Sequence, residues 1–112
     1  MLPKPQRLNL KKDFKWVASG KKLETKYLKI FVKLGDNELP RAGIAVSSKV
    51  FKKAVERNRA RRLTSAVFEA LYSGFPPRIN ILALPKAGAL NVKSGDLLLD
   101  VEAVLRNEKI IS

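Results

Sequence analysis

Residues 49–62 read Lys-Val-Phe-Lys-Lys-Ala-Val-Glu-Arg-Asn-Arg-Ala-Arg-Arg, seven basic side chains and one acid in fourteen positions. The run opens what the pattern predicts as the longest helix of the chain, roughly residues 52 to 72. At about 100° per residue, Lys53, Arg57 and Arg61 fall within a narrow sector, with Asn58 and Ser65 beside it. Val55, Leu63, Ala66, Val67 and Ala70 gather on the opposite side. One face is expected to pack and the other to meet closely spaced negative charge. Arg59 falls on the apolar side, where its stem would lie along a sheet or brace the turn before the helix. Charge runs on helices are usually solvated faces. Here acids are nearly absent, so i,i+4 ion pairs do not offset the repulsion, and the planar fork of arginine suits phosphate. A polyphosphate, hence nucleic acid, is the expected partner.

Two strand patterns precede this helix. In residues 27–34, Leu28, Ile30, Val32 and Leu34 alternate with Tyr27, Lys29, Phe31 and Lys33. The first set predicts a core face. The second interleaves aromatics with lysines, a composition suited to stacking on unpaired bases while holding phosphates. An edge strand with solubilising lysines would look similar. Gly35-Asp36-Asn37 and Pro40 predict a turn, and residues 41–48 a second strand with Ile44 and Val46 on one face and Gly43, Ala45 and Ser47 on the other. If these two strands pair, small residues lie beside Tyr27 and Phe31, leaving a shallow trough with aromatic and basic walls.

Further out, residues 1–8 read as an extended basic arm containing Pro3 and Pro5. Asn9 is a predicted cap for a short helix over roughly 10–19, with Leu10, Phe14, Val17 and Ala18 at helical spacing and Gly20 beyond its end. Lys21 to Lys26 suggests a short edge strand. After the basic helix, Gly74-Phe75-Pro76-Pro77 is a stop. Ile79 to Leu84 is nearly all apolar, as in a central strand buried on both faces. Ser94 is a predicted cap for a last helix, with Asp96 in its first turn and Leu97, Leu98, Val101, Val104 and Leu105 as its apolar stripe.

The chain has 112 residues, 46% hydrophobic, with a net charge of +13. That length suits one domain over residues 1–112. The charge destabilises the compact state through self-repulsion, which an anionic partner would relieve. No apolar stretch approaches the roughly 20 residues of a membrane span, and the N-terminus has no apolar region of a signal peptide. Absence of cysteine agrees with a reducing compartment, so a cytoplasmic protein without a membrane partner is expected. With no His and no Cys, the usual acid–base and nucleophilic arrangements are missing. Asp96 and Asp100 are the one helical carboxylate pair at metal-like spacing, and a solvated helix start explains them better. No catalytic residues, bound metal or protein-held cofactor are expected.

Taken together, Gly43-Ile44-Ala45-Val46-Ser47-Ser48-Lys49 and then Arg57-Asn58-Arg59-Ala60-Arg61-Arg62-Leu63 opening a helix resemble the bacterial ribonuclease P protein subunit. The Arg7-Leu8 arm, Asp13-Phe14 in the first helix, the aromatic strand, the Ile-rich strand and the closing helix agree in order. The resemblance spans nearly the whole chain and is specific over residues 43–68. It implies an α/β (α+β) sandwich of αβββαβα order, of the type found in certain small-subunit ribosomal proteins. A left-handed crossover would lead into the basic helix, against the usual rule.

It further implies the protein subunit of a ribonucleoprotein whose RNA removes the 5′ leader of precursor tRNA, using Mg2+ held through the RNA. By position, Arg57, Asn58, Arg59, Arg61 and Arg62, with Lys53 from the helical wheel, would face the catalytic RNA. Phe14, Phe31 and Lys49 would line the leader cleft, strand periodicity adds Tyr27 and Lys29, and Ser47 of the small-residue face is counted with them. The sequence departs from the family pattern at Ser65-Ala66, where Arg-Glu is usual, and at Ser48-Lys49, where Lys-Lys is usual. A second aromatic of the first helix is represented only by the displaced Trp16.

Three rival readings stand beside this one. A ribosomal or other structural RNA-binding protein would need the same basic surface but no groove for a single strand. A duplex-DNA module would lay the basic helix in a major groove; no DNA partner is expected here. A hydrolase acting unaided would need groups this chain lacks.

Overall fold

In the computed structural model, residues 2–111 are described. They form α1 (Leu10–Ala18), β1 (Lys21–Glu24), β2 (Leu28–Leu34), β3 (Arg41–Ile44), α2 (Ala54–Leu71), β4 (Ile79–Pro85) and α3 (Ser94–Asn107). The expected αβββαβα order holds. Short 3-10 turns occupy Lys4–Gln6, Tyr72–Gly74 and Ala87–Asn91.

The four strands make one sheet in the order β1-β2-β4-β3. β1 and β4 both run antiparallel to β2, whereas β3 pairs parallel to β4. The pairing of β2 with β3, on which the trough inferred from sequence was conditional, does not occur. β4 lies between them because its residues are the most apolar, and burial on both faces is stabilising only in the middle of a sheet. Six of its seven residues are buried.

Alternate residues divide the sheet between two cores. Leu28, Ile30 and Val32 of β2 with Ile79, Ile81 and Ala83 of β4 meet Val67, Phe68 and Leu71 of α2 and Leu97, Val101 and Leu105 of α3. On the reverse face Leu82 packs with Val17 of α1 and with Leu8 of the arm. Leu34, assigned to the core face from alternation, is 68% exposed because it ends its strand and no helix covers it.

Local capping accounts for the element ends. The side chain of Asn9 accepts from Lys12 N (3.4 Å), as expected for α1. At α2 the carboxylate of Glu56, three residues in, accepts from Lys53 N (3.4 Å), one half of a capping box. Lys93, not Ser94, is the N-cap of α3, and its side chain makes no capping bond. The arm is not extended into solvent. Leu2 and Leu8 are buried, Arg7 bridges Ala42, and Leu8 N donates to Ala42 O at 3.0 Å, so residues 7–8 add an edge beside β3. Met1 lies outside the described residues.

Candidate nucleic-acid interface

The helical wheel of α2 is rotated relative to the one inferred from sequence. The buried positions are Ala60, Thr64, Ser65, Val67, Phe68 and Leu71. Val55, placed on the packing side above, is 75% exposed, and Ala66 and Ala70 are exposed as well. The cause is the weak apolar content of the first half of the helix. Just past its middle small polar residues take the inner face, and Thr64 satisfies its hydroxyl by donating to Ala60 O (2.8 Å). Counting alanines as core pulled the inferred axis round.

That rotation exchanges the roles of two arginines. Arg59 is exposed and makes no hydrogen bond or ion pair among the described residues, so it neither snorkels nor braces. Arg57 is half-buried and does brace: Nη1 donates to Phe51 O (2.9 Å) and Lys52 O (3.1 Å). The bonds tie down the turn before the helix. Within that turn Ser47 O accepts from Phe51 N (2.9 Å), Ser47 Oγ accepts from Lys49 N (3.1 Å), and the Phe51 ring is buried. Ser48, Lys49 and Val50 are left projecting at its tip, all exposed.

The solvent side of the helix therefore carries Lys53, Asn58, Arg59 and Arg62. Arg61 is half-buried, with Nη1 donating to Asn58 Oδ1 at 3.1 Å. Near the helix start Glu56 is the lone acid among these bases.

The reverse face of the sheet is covered only by the nine-residue α1 and the arm. Beneath them Leu82 is fully buried, but Phe14, Phe31, Ala45 and Leu84 are only partly buried around it. Register explains the layout. Phe31 stands opposite Lys22 on β1 and Leu82 on β4, and Leu82 in turn stands beside Gly43 on β3. The next row is Glu24, Lys29 and Leu84, with Ala45 beyond the end of β3 held by its N–H to Ala83 O (2.9 Å). Phe14 and Phe31 are thus partly buried on the same face of the sheet. Leu84 shares that face over the buried Leu82, which the conditional pairing of β2 with β3 left out. Lys29 is exposed and makes no ion pair among the described residues, whereas Glu24 lies 3.4 Å from Lys86 Nζ.

Not every expected residue gathers there. Tyr27 precedes β2, packs with the opposite core and sets its ring beside Gly88. Its N–H and that of Lys26 donate to the Asp100 carboxylate (3.1 Å each). So Tyr27 belongs to a buttress between sheet and α3, and Asp100, read above as a helix-start acid, is the clamp. A residue just outside a strand is not bound by the strand's alternation. Trp16 likewise stands apart, over Gly35 and 5.1 Å from Lys33 Nζ, while Lys33 also donates to Ser19 Oγ (2.9 Å). Ser47 and Lys49 lie in the braced turn that follows Ala45.

Among the described residues no group of three His, Cys, Asp or Glu side chains could hold a metal ion, and no helix is long and apolar enough to cross a membrane.

Comparison with known proteins agrees with this geometry. Residues 2–109 match the family model of ribonuclease P. A ribonuclease P protein component from Pseudanabaena sp. is 33% identical over 113 residues, covering 99% of this chain and 97% of the relative. One from Syntrophus aciditrophicus is 28% identical over 108 residues, covering 96% and 90%. Among solved structures, a Staphylococcus aureus RNase P protein mutant with defective mRNA degradation activity superposes with a TM-score of 0.83 at 22% identity, covering 96% of this chain and 92% of that one. The RNase P protein of Thermotoga maritima superposes with a TM-score of 0.78 at 24% identity, covering 90% and 96%. With the fold, the basic helix and a match over nearly its full length in agreement, this chain belongs to the ribonuclease P protein family, subunits of an endoribonuclease whose general role is tRNA 5′-leader processing.

Proposed function

We propose that this chain is the RNA-binding subunit that helps a catalytic RNA cut the 5′ leader from precursor tRNA, the chemistry being carried by the RNA. The half-open sheet face carries this reading. Phe14 and Phe31 offer rings for unpaired leader bases, and Lys22 and Lys29 stand in the same rows to take the phosphates. Lys49 and Ser47, on the turn fixed by Arg57, extend the path beyond β3. The exposed side of α2 (Lys53, Asn58, Arg59, Arg62) with Arg61 at its flank would contact the catalytic RNA, and Arg57 would act by holding the turn.

Asp100, one of the two carboxylates at metal-like spacing, is engaged by two backbone N–H groups. Mg2+ is assigned to the RNA. The protein's part is electrostatic: a charge of +13 neutralises phosphates that added cations would otherwise screen. The test is reconstitution with a bacterial ribonuclease P RNA. The purified protein alone should not cleave precursor tRNA, and its addition should lower the magnesium concentration at which the RNA does. Metal-dependent cleavage by RNA-free protein, or an unchanged magnesium requirement, would contradict the reading.

A further inference from the structure

The turn between β2 and β3 is acidic and apolar in a chain of charge +13. Asp36 and Glu38 are exposed, and their carboxylates make no hydrogen bond or ion pair among the described residues. Leu34 and Leu39, toward its two ends, are exposed as well. The turn is nevertheless held in one shape. Gly35 N donates to Arg78 O (2.9 Å), and the Asn37 side chain donates to Leu39 O (2.6 Å) while accepting from Asn80 Nδ2 (2.9 Å). The Tyr72 hydroxyl pins Pro40 O (2.6 Å). Apolar groups on such a frame lose little freedom when covered, which favours contact. RNA is the wrong partner here, since its phosphates would meet two unpaired carboxylates.

A matching surface lies at the same end of the molecule. Beside Leu34 a half-open pocket of about 310 Å³ has Val32, Ile79 and Ile110 in its walls and lysines around it, and no carboxylate lines it. Two of those lysines are engaged: Lys21 pairs with Glu108 (3.1 Å) and Lys33 donates to Ser19 Oγ (2.9 Å). The Lys109 side chain is exposed and makes no hydrogen bond or ion pair among the described residues. The turn thus offers leucines and acids, and the pocket an apolar slot and a free cation. Because one chain carries both at one end, two copies about a twofold axis satisfy both together. We propose that this end of the sheet is a self-association surface, Glu38 and Leu39 of each copy entering the Leu34–Ile110 pocket of the other, with Glu38 against Lys109.

The basic start of α2 stays clear of this contact. The helix begins beside the far ends of β3 and β4, and its 18 residues carry it about 27 Å to the end where β4 starts. Two turns and two pockets make a contact at the low end of interface sizes, under about 1,200 Å², so the association is weak. At physiological ionic strength the repulsion between two +13 chains is screened beyond about 8 Å, which leaves the local pairing to decide.

Sedimentation equilibrium of the full chain, up to hundreds of micromolar at that ionic strength, should show a mass rising toward two chains. Glu38→Lys and Lys109→Glu should each weaken association about tenfold, and their equimolar mixture should restore it, because each variant then meets opposite charge in the other. Leu39→Ser alters no charge and should weaken association as well; it serves as the test should a charge variant melt early. A parent chain that stays monomeric, single variants that associate like the parent, or a mixture no better than its components would overturn the proposal. So would a monomeric parent whose Lys109→Glu variant loses affinity for ribonuclease P RNA, which would give the pocket to RNA. The sedimentation contains no RNA, so its outcome and that of the reconstitution assay stand apart.

Discussion

The two faces of the sheet are built from alternate residues of the same strands, yet they end in different states. Two helices, α2 and α3, seal one face, so that Leu28, Ile30, Ile81 and Ala83 are wholly buried. A single short helix and the arm cover the other, enclosing Leu82 but leaving Phe31, Phe14 and Leu84 half open. Apolar content alone does not separate the faces, because both carry large hydrophobic side chains. The difference is the length of helix laid over each and the lysines that interrupt the second. The sealed face accounts for stability, and the half-open one is the site proposed for the leader.

The largest effect should come from the sealed face. Phe68→Ala removes a fully buried ring and should cost about 3–5 kcal/mol in urea unfolding. Truncating the half-open Phe14 should cost clearly less, and equal costs would erase the distinction between the faces.

The arginines of α2 give the next contrast. Arg57→Ala loses two charge-assisted bonds to carbonyls of the preceding turn and should cost about 1–2 kcal/mol, the lower range because Lys52 is exposed. Arg59→Ala should change stability by less than about 0.5 kcal/mol while weakening RNA assembly and reducing its salt slope by roughly one counterion. A reversed order of melting points would restore the helical wheel inferred from sequence.

The smallest effect concerns Tyr72, whose hydroxyl donates to Pro40 O (2.6 Å) and whose pKa burial raises above 10.0. Above pH 10 the unfolded state loses this proton first, so its stabilising contribution is full below that pH and declines as pH climbs through the raised value. Tyr72→Phe should cost about 1 kcal/mol at neutral pH and show a shallower loss of stability above pH 10 than the parent chain. Parallel profiles would show that Tyr72 ionises alike in both states.

Much of this arrangement was legible in the residues. The order of elements followed from alternation in β2, the apolar run of β4 and the stripe of α3. Phe14 and Phe31 were placed on one face from periodicity and resemblance, and both pack, partly buried, on the reverse face of the sheet. What escaped depended on tertiary partners. The insertion of β4 between β2 and β3 is a long-range choice that no local pattern states. The inner face of α2 was obscured by Thr64 and Ser65, polar residues small enough to be buried once satisfied. Arg57 and Arg59, two positions apart in a charged run, differ only because a turn folds back beside one of them. Tyr27 lay one residue beyond the strand whose alternation was extended to it.

The most direct test compares leader dependence in the assembled ribonucleoprotein. With protein saturating, affinity is measured for precursor tRNA carrying a leader of several nucleotides and for mature tRNA, using the parent chain and Phe31→Ala, with folding of the variant checked first. Stacking in single-strand sites contributes about 1–3 kcal/mol per base. The account predicts that Phe31→Ala loses about that much affinity for the leader-bearing substrate and almost none for mature tRNA. An equal loss for both, or no loss for either, would mean that the half-open face is not the leader's site.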